Sequence, residues 1–312
     1  MKFSTQSNEA PLISEELLRS SIIFEDEDIL VINKPGWFVC HPSKRGPWSS
    51  LVGAVRELLD LETLYLVGRL DRETSGVVLI AKNQVAGRKW QKALEAKQVK
   101  RTYLAILEGE LIEEVKVEGH VGNDPNSKVF VKQRVTANSR TSKKAQTHFY
   151  PLYSAGGYTF VSVITKTGRK HQIRLHAQSI GYPLVGEKLY GHNESYYLNF
   201  CESGWNPLWL ETLGMDRQAL HARRFGYLDG EGKFEAEIPS DFKFFLENRM
   251  SFKWKTIKDL LKKANSWEDE QVYKEIFEES KRYKNQEIEN ILKKNQIKID
   301  DKWFDELALH TQ

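Results

Sequence analysis

The chain reads as an α+β protein built on a mixed sheet flanked by helices, with a helical extension at its C-terminal end. Three observations predict this. Short runs rich in β-branched and aromatic residues recur between Ile22 and Ile164, some alternating and one continuous, as strands do. Between them lie segments with apolar residues at helical spacing, such as Leu51 to Leu59 and Gln84 to Lys97. Beyond about Phe242 the composition shifts, and Met250 to Gln312 contains neither Gly nor Pro and repeats apolar residues at Val272, Ile276 and Phe277 and again at Ile288, Ile291 and Leu292. Strands and helices that alternate in this way are compatible with either a parallel or an antiparallel sheet.

Composition narrows the function classes. The 312 residues exceed what one small core needs, and 40% hydrophobic with 29% charged residues is the balance of a water-soluble globular chain. No apolar run approaches the roughly 20 residues of a membrane span, and Met1 to Ala10 lacks the pattern of a signal peptide. Two cysteines, Cys40 and Cys201, have no metal spacing, which argues for a reducing cytoplasm and against a disulfide or zinc framework. A net charge of +3 and a pI near 8.6 confine any nucleic-acid surface to a local basic patch.

Taken in order, residues 1–20 read as an irregular arm ending in a short helix opened by Ser14-Glu15-Glu16. Residues 22–36 form a strand, an acidic turn, a second strand and a Lys34-Pro35-Gly36 turn, hence a hairpin. Leu51 to Leu59 is a helix lying under the loop that follows Tyr65-Leu66-Val67. Val77 to Ala81 is apolar without alternation, the mark of a strand buried on both faces. Gln84 to Lys97 is a basic amphipathic helix with Arg88, Lys89, Lys92 and Lys97 around Trp90 and Leu94. Lys100 to Leu107 is a strand that carries Tyr103, Ala105 and Leu107 on one face. Glu110 to Gln146 is strand and loop, with a basic run from Arg140 to Lys144. Tyr158 to Ile164 alternates cleanly and feeds a helix from His171 that stops at Gly181, with Ile173, Ala177 and Ile180 facing the core.

One stretch concentrates reactive side chains: Gly68-Arg69-Leu70-Asp71-Arg72-Glu73-Thr74-Ser75-Gly76. An acid between arginines and ahead of a turn is usually a solvated pair or a turn former. Anchored at the mouth of a buried strand, it is also held rigidly, as a catalytic group must be. The string Arg-Leu-Asp-x-x-Thr-Ser-Gly, followed by an apolar strand, resembles the catalytic motif of the RluA-type RNA pseudouridine synthases. The likeness continues through Lys34-Pro35 and His41-Pro42, through the Lys-x-Tyr-x-Ala pattern read onto Lys100 to Ala105, and through Gly168-Arg169-Lys170-His171-Gln172-Ile173-Arg174-Leu175-His176. Tyr182 to Gly191 and Leu220-His221-Ala222-Arg223 complete it. One departure is Gly68, where RluA-type members usually carry His and RsuA-type members carry Gly; the other motifs side with the RluA type.

The resemblance implies a catalytic domain of the pseudouridine synthase type over residues 21–245, with a largely antiparallel sheet and the site in a cleft across it. An arm, 1–20, precedes it, and a helical extension, 250–312, packs on the core or meets another partner. The implied activity is that of an isomerase, which cuts the N-glycosidic bond of a uridine in ribosomal or transfer RNA, turns the base and joins its C5 to the sugar, without a cofactor. Asp71 is the implied catalytic carboxylate, attacking C1′ or taking a sugar proton, with Arg174 as its ionic partner and Tyr103 against the target base. Arg69 would fill the gap left by the extruded nucleotide, and Lys34, Arg72, Lys100, Arg169 and His171 are read as RNA contacts. The chain is expected to be a cytoplasmic monomer.

Two other readings stand beside this one. A non-catalytic RNA-binding or ribosome-assembly protein on the same scaffold differs by not needing Asp71, Tyr103 and Arg174 together. A glycosidase with paired carboxylates is disfavoured by arginine-rich surroundings. His41, His171 and His176 lack the spacing of a metal site.

Overall fold

The structure is a computed structural model in which residues 8–9, 11–41, 45–228 and 232–283 are described. Helix α1 (Glu15–Ser20) is capped by the Ser14 hydroxyl, which accepts from the Leu17 amide, and leads into the hairpin of β1 (Ile22–Glu25) and β2 (Ile29–Lys34). Helix α2 (Leu51–Leu59), β3 (Tyr65–Val67), β4 (Ser75–Ala81), α3 (Gln84–Glu95) and β5 (Val99–Glu108) follow. Next come β6 (Val115–Asn123), β7 (Gln133–Thr136), β8 (Lys143–Ala155), β9 (Tyr158–Thr165) and α4 (Gln172–Ser179). The chain continues through α5 (Ser195–Ser203), α6 (Trp209–Leu213), β10 (Leu220–Tyr227), β11 (Phe234–Glu235), α7 (Ser240–Arg249) and α8 (Ile257–Tyr283).

All eleven of these strands join one sheet, ordered β1-β2-β4-β10-β5-β9-β8-β6-β7, with β3 on β4 and β11 on β10. Every pairing is antiparallel except β4 with β10. The sheet is therefore mixed and largely antiparallel, as expected. The parallel contact brings the two backbones very close at Gly76, where φ is +112° and a Cβ would lie 2.1 Å from the Ala222 carbonyl oxygen. Only glycine fits that crossing.

The two faces of the sheet are covered differently. On the front, Val77, Leu79 and Ala81 pack with Phe225 and with Trp90 of α3, while Ala105, Leu107, Val161 and Val163 pack under Ile173 and Ala177 of α4. Arg101 and Phe225 are register partners, so by alternation Arg101 and Tyr103 lie on this same face between α3 and α4. On the back, Leu30, Ile32, Val78 and Ile80 pack with α2, and Leu104, Ile106 and Phe160 pack with Phe242 and Phe245 of α7 and Ala264 of α8.

The described part of the extension is thus built into the core, and one apolar cluster runs from Phe242 through Met250, Phe252 and Ile257 to Ala264. Trp267 of α8 stacks on Tyr150, at 4.8 Å and 12°, and donates to Glu114. Glu268, fully buried, accepts from Ser162 and Arg224 at 2.8 and 2.9 Å and lies 3.6 Å from Arg223 and 4.0 Å from Lys100. Ile288, Ile291 and Leu292 lie outside the described residues. No helix among the described residues is long and apolar enough to cross a membrane.

The loop between β3 and β4 is fastened from below by Lys34, at the end of β2. This side chain is fully buried, and its ammonium donates to the carbonyls of Pro35, Phe38 and Arg72 at 3.0, 2.8 and 3.1 Å. Burial pulls its pKa from 10.5 down to about 8, because the charged form is costly away from water.

Two stability predictions follow from these buried charges. Glu268→Gln removes the buried carboxylate partner of Arg224 and leaves it only that of the more distant, exposed Glu235 at 3.7 Å, and urea unfolding will show a loss of about 3 kcal/mol; an unchanged midpoint would contradict the role of α8 as counter-ion to the back face. Between about pH 8 and 10.5 the unfolded chain holds a proton that folded Lys34 has released, so Lys34 makes stability rise with pH across that window, by about 3 kcal/mol. Urea midpoints at both ends of the window, for the parent and for Lys34→Met, will lose that component in the variant.

Candidate active site

A cavity opens on the front face between the loop 68–74, the end of β9 and the start of α4. Asp71, Tyr103, Arg174, His171, Arg69 and Arg169 all line it, although they come from three separate stretches of chain. Tyr103 reaches it because β5 places it opposite Ala222 of β10 and Val163 of β9. Arg174 reaches it from the first turn of α4, which is stopped at its far end by Gly181 (φ +83°), whose amide donates to Gln178 while that of Tyr182 donates to Ala177.

Asp71 and Arg174 meet as expected, with Arg174 Nη1 donating to Asp71 Oδ2 at 2.9 Å. The other side of the same guanidinium is held by Glu187, through Nε to Oε2 at 2.7 Å and Nη2 to Oε1 at 2.6 Å. Glu187 is fixed in turn by the amides of Leu189 and Tyr190. Burial alone would raise the Asp71 carboxyl, but the charge of Arg174, with His171 and hydrogen bonds from Arg174 and Gln218, more than offsets it and holds the group below its ordinary 3.8. Its side chain remains 32% exposed, so the charged oxygen pair is open to a ligand.

His171 adopts a left-handed backbone (φ +55°) just before α4, one residue outside the helix that the sequence starts at this position. Its Nδ1 lies 2.8 Å from the Tyr190 hydroxyl and its Nε2 lies 4.0 Å from Asp71. Burial, aided by Arg174, lowers its pKa to about 4, so the ring is neutral near pH 7. Tyr190 also receives the Gln133 amide and carries Arg174 over its ring at 5.2 Å.

The remainder of the loop is tied down residue by residue. Glu73 takes both oxygens to the Lys188 ammonium, at 3.0 and 2.9 Å, and accepts from the Gln218 amide. Gln218 also donates to Thr74, and Arg217 donates to the Glu73 carbonyl. Lys188 is enclosed by Trp37, Phe200 and Trp205, its nitrogen 5.1 to 5.4 Å from the three ring centres. Gly68 has φ +82°, a backbone that a glycine takes without strain and the usual histidine does not.

Three residues expected on RNA sit elsewhere. Lys34 is sealed beneath the loop as described above, because three carbonyls satisfy its three donors. Arg72 turns inward, donating to the carbonyls of Asn8 and Glu9 and lying over Trp37 and Phe200. Lys100 projects to the back face, where it pairs with Asp269 of α8 at 2.7 Å; it stands three residues before Tyr103, and the strand alternation puts it on the opposite side. The basic residue two before Tyr103 is Arg101. The sequence points to no role for Glu187, Lys188, Tyr190 or Gln218; the first three lie within the Tyr182 to Gly191 segment that carries the resemblance, and Gln218 lies in none of its motifs.

The architecture agrees with that of known proteins. The family model for RNA pseudouridylate synthase matches residues 28–179. The RNA pseudouridine synthase YjbO of Bacillus subtilis is 32% identical over 242 residues, covering 73% of this chain and 77% of the relative. Ribosomal large subunit pseudouridine synthase D of Yersinia pestis is 34% identical over 229 residues, covering 70% and 67%. Among solved structures, human RNA Pseudouridylate Synthase Domain Containing 4 shares the fold with a TM-score of 0.58 at 23% identity, over 74% of this chain and 94% of that one. With sequence, fold and relatives in agreement, the chain belongs to the RluA-type RNA pseudouridine synthases, isomerases that convert uridine to pseudouridine in RNA.

Proposed function

We propose that this chain isomerises specific uridines in ribosomal or transfer RNA, with Asp71 as the catalytic carboxylate. The observation that carries the reading is a carboxylate kept ionised at an open cavity by a guanidinium that a second, buried carboxylate holds in place. The relatives named for the ribosomal large subunit favour ribosomal RNA among the two substrates.

A uridine inside folded RNA has to leave its stack to reach such a cavity. Tyr103 at the cavity wall offers the uracil ring an aromatic face. The ionised Asp71 then lies at the sugar–base junction, where cleavage of the bond from N1 to C1′ demands a negative group. Arg174 orients Asp71 and is no proton donor to the reaction, since the carboxylates of Glu187 and Asp71 hold its guanidinium in the charged form. The neutral His171 fixes Tyr190 and leaves Asp71 as the charged acid of the cavity. Arg69, exposed at the rim, takes the space of the extruded base, and Arg169 meets the RNA backbone.

On unmodified ribosomal RNA, Asp71→Asn will lower the single-turnover rate of pseudouridine formation by on the order of ten-thousandfold; a variant as fast as the parent would sink the assignment. The pH profile tests the electrostatics separately. Since Arg174 keeps the Asp71 carboxyl below its ordinary value, the parent rate will show no acid limb from Asp71 above about pH 5. In Arg174→Gln the largest influence that offsets burial is gone, and the residual rate will fall with acid at a higher pH than in the parent. An acid limb at the same pH in both would contradict the pairing.

A further inference from the structure

Arg101 sits on the floor of the front face, two residues before Tyr103 and on the same side of β5, a step of about 7 Å. Its guanidinium lies against the main chain of Gly168 at the cavity wall, so close that a Cβ on Gly168 would come within 2.6 Å of Nη1, 3.4 Å of Cζ and 3.5 Å of Nη2. Its Nε is buried and has no hydrogen-bond partner, and no carboxylate among the described residues lies within ion-pair distance of the group.

Arg72 also has an unpartnered Nε, but the lack of a hydrogen bond or ion pair at any nitrogen sets the Arg101 side chain apart from the other arginines enclosed by the fold among the described residues. Arg72, Arg174, Arg217, Arg223 and Arg224 each donate to a carbonyl or carboxylate oxygen. A half-buried guanidinium without an acceptor is costly unless something outside the chain supplies one. Its planar fork suits a phosphate, which it can grip with two parallel hydrogen bonds. Arg69 and Arg169 line the cavity whose wall includes Gly168, and the Arg169 side chain makes a single bond, through Nε to the Lys144 carbonyl, so the rim is electropositive.

We propose that Arg101 grips a backbone phosphate of the substrate RNA next to the nucleotide whose base lies against Tyr103, and that Gly168 is small in order to let the guanidinium through. The inference rests on the functional reading above and deepens it. Arg101 would fix the register of the strand in the cavity while carrying no sequence preference of its own.

The test combines a salt titration with kinetics. A fluorescein-labelled oligouridylate is bound by the parent, Arg101→Gln and Arg101→Lys over a range of salt, after thermal melts establish that all three fold alike. For one lost phosphate contact on a single strand, the slope of log K against log salt will shrink by about 0.7 in Arg101→Gln, and Arg101→Lys will keep it. On unmodified ribosomal RNA, kcat/KM of Arg101→Gln will fall about tenfold, with most of the loss in KM. A parental slope and KM in Arg101→Gln, or a loss confined to kcat, would overturn the proposal. A parent that forms no pseudouridine would instead overturn the functional reading, while the oligouridylate titration would still decide on Arg101.

Discussion

The Arg174 guanidinium is the point on which the site turns. One of its edges is bound by Glu187 and the other reaches Asp71. A single aspartate at the mouth of a strand would be an ordinary turn residue, free to swing and to find water. Clamped by an arginine that Glu187 holds on its other edge, it becomes a charge of fixed position. Glu187 is fully buried and is tolerable there because two backbone amides and a bidentate guanidinium satisfy it.

The other constraints serve that charge from below and behind. Lys34, Lys188 and Arg217 each place a cation beneath the loop 68–74, and each is satisfied mostly by loop or neighbouring backbone and carboxylate oxygens. The back of the sheet meanwhile holds its own cations, Lys100, Arg223 and Arg224, with α8 supplying Glu268, Asn265 and Asp269. The back of the sheet thus neutralises its cations within the chain, while on the front Arg69 and Arg169 line the cavity beside the clamped Arg174. The near-balance of charge in the whole sequence hides this division.

Much of the fold was legible because its signals are local. The buried run Val77 to Ala81, the alternation of Tyr158 to Ile164 and the helical spacing of Leu51 to Leu59 each became the element expected. The antiparallel order was not readable from those elements and came with the resemblance. Asp71 and Arg174 stand 103 positions apart, so their pairing also needed the family pattern. Lys34 and Glu268 were beyond reach, because nothing in a polar string reveals that a charge points inward to oxygen atoms supplied by distant segments. Lys100 could have been corrected from the sequence alone: counting the strand period back from Tyr103 puts Arg101, and not Lys100, on the side of the site.

The most direct test of the central claim is to map pseudouridine across total RNA from cells lacking this gene, complemented by the parent chain or by Asp71→Asn. The account predicts that at least one position loses its pseudouridine in the deletion, regains it with the parent and stays uridine with the variant. Full restoration by Asp71→Asn, or a map that does not change when the gene is removed, would contradict it.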